Sequence, residues 1–378
     1  MTTITFNKEI FQAAWPKSLE PTASKKVANF VWNALCATVL LPIGVARVLN
    51  HWIIRPIIIE NFIETGIKRH KGHKFENKPI SFKMANGQTI KGTFLQGVSH
   101  GNKLIILSCG SGQWCEKTGR HPALLESGAS ILAINNPGVG TSKSYPGIDG
   151  LDIHKSFGLA TFSAFELATQ TKLNGGKRKF HEKNILFYGY SLGGAAATIG
   201  AGYVEETYGE KAKTTDGKEI KPVEVKLIND RSFNNLNKLA IARILQIKNT
   251  PFQALKFAKK ISKCITFFIP NFLIRISVYS TTFLAGLRLD PETAFKKLKT
   301  EKKCIIFSKK DPIIPYKGGS LFKSIKDSKK ICTGIKLDDG YDHLKTFEGE
   351  AKNTTLKCIQ DFLGLSKTKS SNLNMADT

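Results

Sequence analysis

The chain has 378 residues, of which 41% are hydrophobic and 23% charged, an ordinary apolar fraction for a globular protein with a substantial core. Fifty-six Lys and Arg against 30 Asp and Glu leave a formal net charge of +26, which favours contact with something anionic, such as an acidic membrane surface. No aromatic-basic RNA motif, zinc finger or helix-turn-helix signature accompanies that charge, which argues against a nucleic-acid partner. The seven cysteines, at 36, 109, 115, 264, 304, 332 and 358, have neither metal-binding spacing nor a compact disulfide pattern, so reduced thiols in a cytosolic setting are expected.

In chain order, residues 1–26 read as polar and irregular. Val27 to Ala46 follows without a charged residue, flanked by Lys25, Lys26 and Arg47. These 20 residues are long enough to span a bilayer, yet Asn29, Asn33, Pro42 and Gly44 weaken the segment. A second apolar piece, Trp52 to Ile59, precedes the basic run Lys68 to Lys74. The region 1–75 is therefore expected to be apolar, basic and helical. It would span a membrane, lie on an anionic surface, or pack as a helical layer on the rest of the chain. The apolar run starts late and lacks a small-residue cleavage site, so a cleavable signal peptide is not expected.

From Pro79 the rhythm becomes that of strands. Ile80 to Met84 and Gln88 to Leu95 flank Asn86-Gly87, a dipeptide suited to a type I′ hairpin. Short buried runs at Leu104 to Leu107 and Ser130 to Ile134, a helix over Ile153 to Leu173, and strands at Asn184 to Tyr188, Val223 to Ile228, Cys304 to Phe307 and Ile331 to Leu337 follow. This alternation predicts an α/β domain over 79–365, either as one domain with insertions or with a second unit, built on a mostly parallel sheet with helices on both faces. Between 231 and 302 the alternation stops and an apolar, basic stretch reads as a helical cap over the carboxyl ends of the strands, where ligands bind in such sheets. Asp290 is the expected N-cap of a new helix with Pro291 at its first position. The Ser-, Lys-, Asn- and Thr-rich tail 366–378 is expected to be disordered.

Gly189-Tyr190-Ser191-Leu192-Gly193 sits between an apolar strand and an alanine-rich helix, the context in which Gly-x-Ser-x-Gly forms a nucleophile elbow. A serine hydroxyl needs an imidazole to take its proton and a carboxylate to hold the imidazole's tautomer. In this architecture the order along the chain is Ser, acid, His. Of the eight histidines only His343 follows Ser191, in a loop after the last predicted strand. Asp311 ends the penultimate strand and is fixed by Pro312, so it is the expected acid; Asp230, ending Val223 to Ile228, is the alternative acid or an anchor of the cap. Asp338, Asp339 and Asp342 read as solvated loop charges. Oxyanion donors are expected from the backbone N–H of Leu192 and of Ser111, in the glycine-flanked loop after Leu107.

Gly-Tyr-Ser-Leu-Gly-Gly, Asp311-Pro312 and Asp342-His343 together resemble the α/β-hydrolase superfamily over residues 79–365. Ile134 to Ser142 and Asn229-Asp230-Arg231-Ser232-Phe233 are similar, more narrowly, to the chlamydial CHLPS-type and Legionella secreted-effector hydrolases, which combine an apolar N-terminal region with a hydrolase domain. Many superfamily members carry His-Gly before the oxyanion loop, where this chain has Cys109-Gly110. The resemblance implies a serine hydrolase of esters or thioesters that works through a Ser-His-Asp triad and an acyl-enzyme, with no metal or organic cofactor. The apolar cap and basic N-terminus suggest a lipid or acylated substrate at a membrane, in the bacterial cytoplasm or a host cell. A peptidase or amidase of the same fold, or a silent scaffold docked at a membrane, are the rival readings.

Overall fold

The computed structural model describes residues 11–19, 77–110, 115, 121–138, 142, 153–173, 179–209, 212–213, 219–220, 222–249, 289–328, 332–338, 341 and 343–365. Val27 to Ala46, the basic run, Ser111, the middle of the expected cap and the tail 366–378 lie outside these residues.

Among the described residues eight strands form one sheet: β1 (Asn77–Lys83), β2 (Thr89–Leu95), β3 (His100–Ser108), β4 (Ala129–Ile134), β5 (Ile185–Tyr190), β8 (Leu227–Asp230), β9 (Lys303–Ser308) and β10 (Thr333–Leu337). Their order is β1-β2-β4-β3-β5-β8-β9-β10, with β1 and β2 antiparallel to their neighbours and all later pairings parallel. A short antiparallel pair, β6 (Ala212–Lys213) and β7 (Glu219–Ile220), stands outside the sheet and was not foreseen.

Side chains alternate across the central strands, and the alternation defines two cores. Leu104, Ile106, Leu132, Ile134, Ile185 and Phe187 face one side, where α2 (Ile153–Gln170) and α3 (Leu192–Tyr208) supply Phe157, Phe162, Phe165 and an alanine-rich face. Ile105, Leu107, Ile131, Ala133, Leu186 and Tyr188 face the other, covered by α1 (Pro122–Glu126) and α7 (Gly349–Leu363). The first layer depends on small residues at the sheet: α3 contributes Ala195, Ala196, Ala197 and Ala201, all fully buried.

Three local expectations change. The first hairpin is not type I′, because Asn86 keeps a negative φ and only Gly87, at φ 82°, is left-handed. Met84 N donates to Gln88 O (2.8 Å) and Gly87 N to Met84 O (2.9 Å), the pattern of a three-residue loop closed by a left-handed glycine. Strand β8 starts at Leu227 rather than Val223, since its pairing with β5 and β9 begins only there. Residues 11–19, read as polar and irregular, pack on the domain: Lys83 N donates to Phe11 O (2.8 Å), Ala13 N to Lys83 O (3.0 Å), and Phe11, Trp15 and Leu19 lie against the core.

The two ends of the expected cap meet at its base. Leu236 N, opening α4 (Leu236–Asn249), donates to Leu289 O (2.9 Å), and Glu292 N, in α5 (Pro291–Lys297), donates to Asn234 O (2.9 Å). Glu292 then receives Lys238 (2.7 Å) and Lys296 (2.5 Å). Asp290 caps α5 through Thr293 N (3.2 Å), with Pro291 in the first turn. Between β9 and β10 lies α6 (Leu321–Asp327).

Candidate active site

Ser191 stands between β5 and α3 at φ 55°, ψ −121°, in the left-handed half of the backbone map that L-residues avoid at a cost of about 1–3 kcal/mol. Close backbone approach enforces that turn. A Cβ on Gly193 would lie 1.9 Å from Ser108 O, and one on Gly189 would lie 2.2 Å from Gly193 O. Ser191 N donates across to Asp230 O (2.8 Å), while Gly194 N (2.9 Å) and Ala195 N (3.4 Å) begin the helix on Ser191 O. A serine at this position commonly caps the helix with its own hydroxyl, but here the side chain makes no capping bond. Its Oγ lies instead 2.8 Å from His343 Nε2.

His343 is brought over by the loop after β10, and Asp311 by the turn after β9. Asp311 Oδ1 accepts from Ile313 N (2.8 Å) and Ile314 N (2.9 Å), which fixes the carboxylate and aims Oδ2 at His343 Nδ1, 2.7 Å away. A carboxylate can only accept, so Nδ1 carries the proton and Nε2 is left as the acceptor facing the serine. All three side chains are buried: Ser191 is 7% exposed, Asp311 6% and His343 3%. Water competes little for these bonds.

Asp230, the alternative acid, does not face the imidazole. It is fully buried, its Oδ2 accepts from Tyr188 Oη (2.9 Å), and Arg231 reaches Oδ1 through Nε (2.8 Å) and Oδ2 through Nη2 (3.3 Å). Burial alone would lower the Arg231 pKa, but the adjacent carboxylate more than restores it and holds the guanidinium charged. Burial, and then the same carboxylate, push the Tyr188 phenol up, so it stays a donor.

Leu192 is the first residue of α3, so its N–H is one of the helix's unsatisfied donors, directly after the serine. Ser111 lies outside the described residues. The strand end that leads to it is well held: Asn136 Nδ2 donates to Cys109 O (2.7 Å), and a Cβ on Gly110 would lie 2.8 Å from the Tyr190 ring.

Sequence reasoning missed the layer beneath these residues. Tyr190 Oη donates to His343 O, and the two rings lie 5.3 Å apart. His121 packs edge-on against both Tyr188 and Tyr190, at 5.7 Å each. Tyr190 is the first of the two variable positions in Gly-x-Ser-x-Gly, and Arg231 directly follows Asp230. Nothing in the sequence alone signals that either reaches the histidine loop.

No protein-family model matches the chain, and no curated protein matches it. Solved structures do. The esterase Pf2001 of Pyrococcus furiosus superposes with a TM-score of 0.52 at 16% identity, over 79% of this chain and 96% of that one. Acetyl xylan esterase 1 from Thermoanaerobacterium gives 0.48 at 14% identity, over 83% of this chain and 92% of that one. The first likeness, together with the strand order, identifies the α/β-hydrolase fold. At such identity a shared fold does not transfer a reaction.

Proposed function

We propose that this protein is a serine hydrolase of ester or thioester bonds, with Ser191 as nucleophile, His343 as general base and then acid, and Asp311 as the residue that orients the imidazole. The observation that carries the reading is the chain of two short hydrogen bonds from Asp311 Oδ2 through His343 to Ser191 Oγ, 2.7 and 2.8 Å, at a strained turn. As Oγ attacks the acyl carbon, its proton passes to Nε2, and the carboxylate stabilises the imidazolium. The carbonyl oxygen becomes an oxyanion, stabilised by the N–H of Leu192 and, we propose, of Ser111. Collapse breaks the bond to the leaving alcohol or thiol, which takes the proton back from Nε2 and leaves an acyl-serine. Water, deprotonated by Nε2, then releases the acid.

The test is covalent labelling by a fluorophosphonate probe alongside hydrolysis of p-nitrophenyl esters. Wild type should label and turn over, and Ser191→Ala should lose labelling and about 10⁴- to 10⁶-fold in kcat. Absence of labelling in wild type, or equal labelling of Ser191→Ala, refutes the reading.

For the substrate, we propose an acyl lipid or acylated molecule met at an anionic membrane surface. The net charge of +26 and the apolar and basic stretches of residues 27–74 support this. The resemblance of Asn229 to Phe233 to the chlamydial and Legionella hydrolases supports a bacterial protein acting in its own cytoplasm or in a host cell. Preference for acyl chains shorter than about four carbons, or equal binding to neutral and anionic liposomes, would count against this.

A further inference from the structure

Among the described residues only two non-glycine positions have a left-handed backbone, Ser191 at φ 55° and Arg231 at φ 48°. They follow neighbouring strands, β5 and β8, and are joined through Ser191 N and Asp230 O at 2.8 Å. Strain of this kind persists where the surroundings impose it and gathers at functional sites. At Ser191 it accompanies a hydroxyl that faces His343 Nε2. At Arg231 it buries a cation.

That cation has a specific destination. Its Nε and Nη2 engage Asp230, its Nη1 donates to Lys345 O (2.9 Å), and its guanidinium lies between the rings of Tyr190 (4.9 Å) and Phe347 (4.5 Å). Lys345 and Phe347 belong to the loop that carries His343, and Tyr190 in turn holds His343 O. Arg231 N is itself tied to Ile306 O (2.8 Å), so the guanidinium is anchored to the sheet between the strands that precede Ser191 and Asp311. We propose that Arg231, charge-compensated by Asp230, is a positioning residue for His343: it clamps the loop 343–347 so that the imidazole stays in line between Asp311 and Ser191. The catalytic part of this role rests on the hydrolase reading above. The positional part does not.

The experiment uses the full chain with two variants. Arg231→Gly suits the left-handed backbone and removes the clamp. Asp230→Asn/Arg231→Gly also removes the carboxylate that would otherwise be stranded in the interior, and keeps an acceptor for Tyr188. The decisive readout is the low-field proton resonance of His343 Nδ1–H, assigned by its loss in Asp311→Ala. It should be present in wild type, broadened or lost in both folded variants, and partly restored in Arg231→Gly by millimolar ethylguanidinium. kcat on a short p-nitrophenyl ester should fall about 10- to 100-fold with KM little changed, since misplacement of about 1 Å costs that much. A resonance unchanged in either folded variant overturns the assignment whatever the activity. A wild type that behaves as described by resonance yet hydrolyses no ester and takes no fluorophosphonate leaves the positioning role standing while the hydrolase reading falls.

Discussion

Replacing Asp311 by asparagine should leave the fold intact and silence the triad, and the local hydrogen bonds say by how much. Oδ1 accepts two backbone N–H groups, from Ile313 (2.8 Å) and Ile314 (2.9 Å). An amide oxygen can keep both bonds, so the new NH₂ must take the place of Oδ2, 2.7 Å from His343 Nδ1. Two donors cannot face each other, so Nδ1 must become the acceptor and the proton moves to Nε2. There it can no longer accept from Ser191. Flipping the amide would restore the tautomer but would set NH₂ against two N–H donors, forfeiting two bonds of about 1 kcal/mol each and leaving buried donors unsatisfied, about 2–4 kcal/mol in all. The flipped form is thus held to a few per cent at most, and the imidazolium has also lost its counter-charge. The expected fall in kcat is about 10² to 10⁴-fold, with KM and the unfolding midpoint little changed. Stopped assays on a short p-nitrophenyl ester, with urea unfolding of the same samples, measure both. An Asp311→Asn protein within about tenfold of wild-type kcat would refute the reasoning, because Oδ1 could not then be held as described.

Gly193→Ala places a Cβ 1.9 Å from Ser108 O and 2.5 Å from Ser108 C, backbone atoms that cannot rotate aside. We expect destabilisation of about 1–3 kcal/mol and loss of fluorophosphonate labelling, read by thermal unfolding and gel fluorescence. Glu292 is pulled from 4.5 to about 2; burial opposes this, and the bonds from Lys238 and Lys296 overcome it. Its stabilising effect is complete above pH 4.5 and is lost as pH falls toward 2, so the stability difference between wild type and Glu292→Gln should shrink across that window in urea titrations. Lys226 is pushed from 10.5 to about 8, chiefly by burial and then by Lys302. Between those values the unfolded chain still binds a proton that the folded chain has released, so wild-type stability should gain with rising pH relative to Lys226→Met, which should be the more stable protein near neutrality. A pH-independent difference between the two chains would contradict this.

The closeness of Ser191 and His343 was legible because each signal is local or exclusive. The strand-turn-helix pattern around Ser191 lies in one continuous stretch, and His343 is the single downstream imidazole. Asp311 could be read because a carboxylate at a strand end followed by proline is also a local pattern. Arg231 could not be, since its part depends on a backbone angle that composition does not forecast and on a contact 114 residues away. Asp230 illustrates the same limit. Its position at a strand end suits an acid, but the identity of its partners, Tyr188 and Arg231, is a property of packing. The boundaries that shifted, at β8 and at the first turn, are ones where pairing partners outrank local preference.

The short stretch at residues 11–19 has a practical consequence for anyone dissecting the chain. A boundary drawn by composition falls near residue 76, after the basic run, and trimming the chain there looks harmless. Yet Phe11 O accepts from Lys83 N and Ala13 N donates to Lys83 O, at the end of β1, and Ala13 is 5% exposed. Removing them would strip the Lys83 N–H and C=O of these partners at β1, the first strand in the sheet order, and unpaired groups on an edge strand are the kind that recruit other chains and precipitate. The sequence boundary is not a safe place to cut.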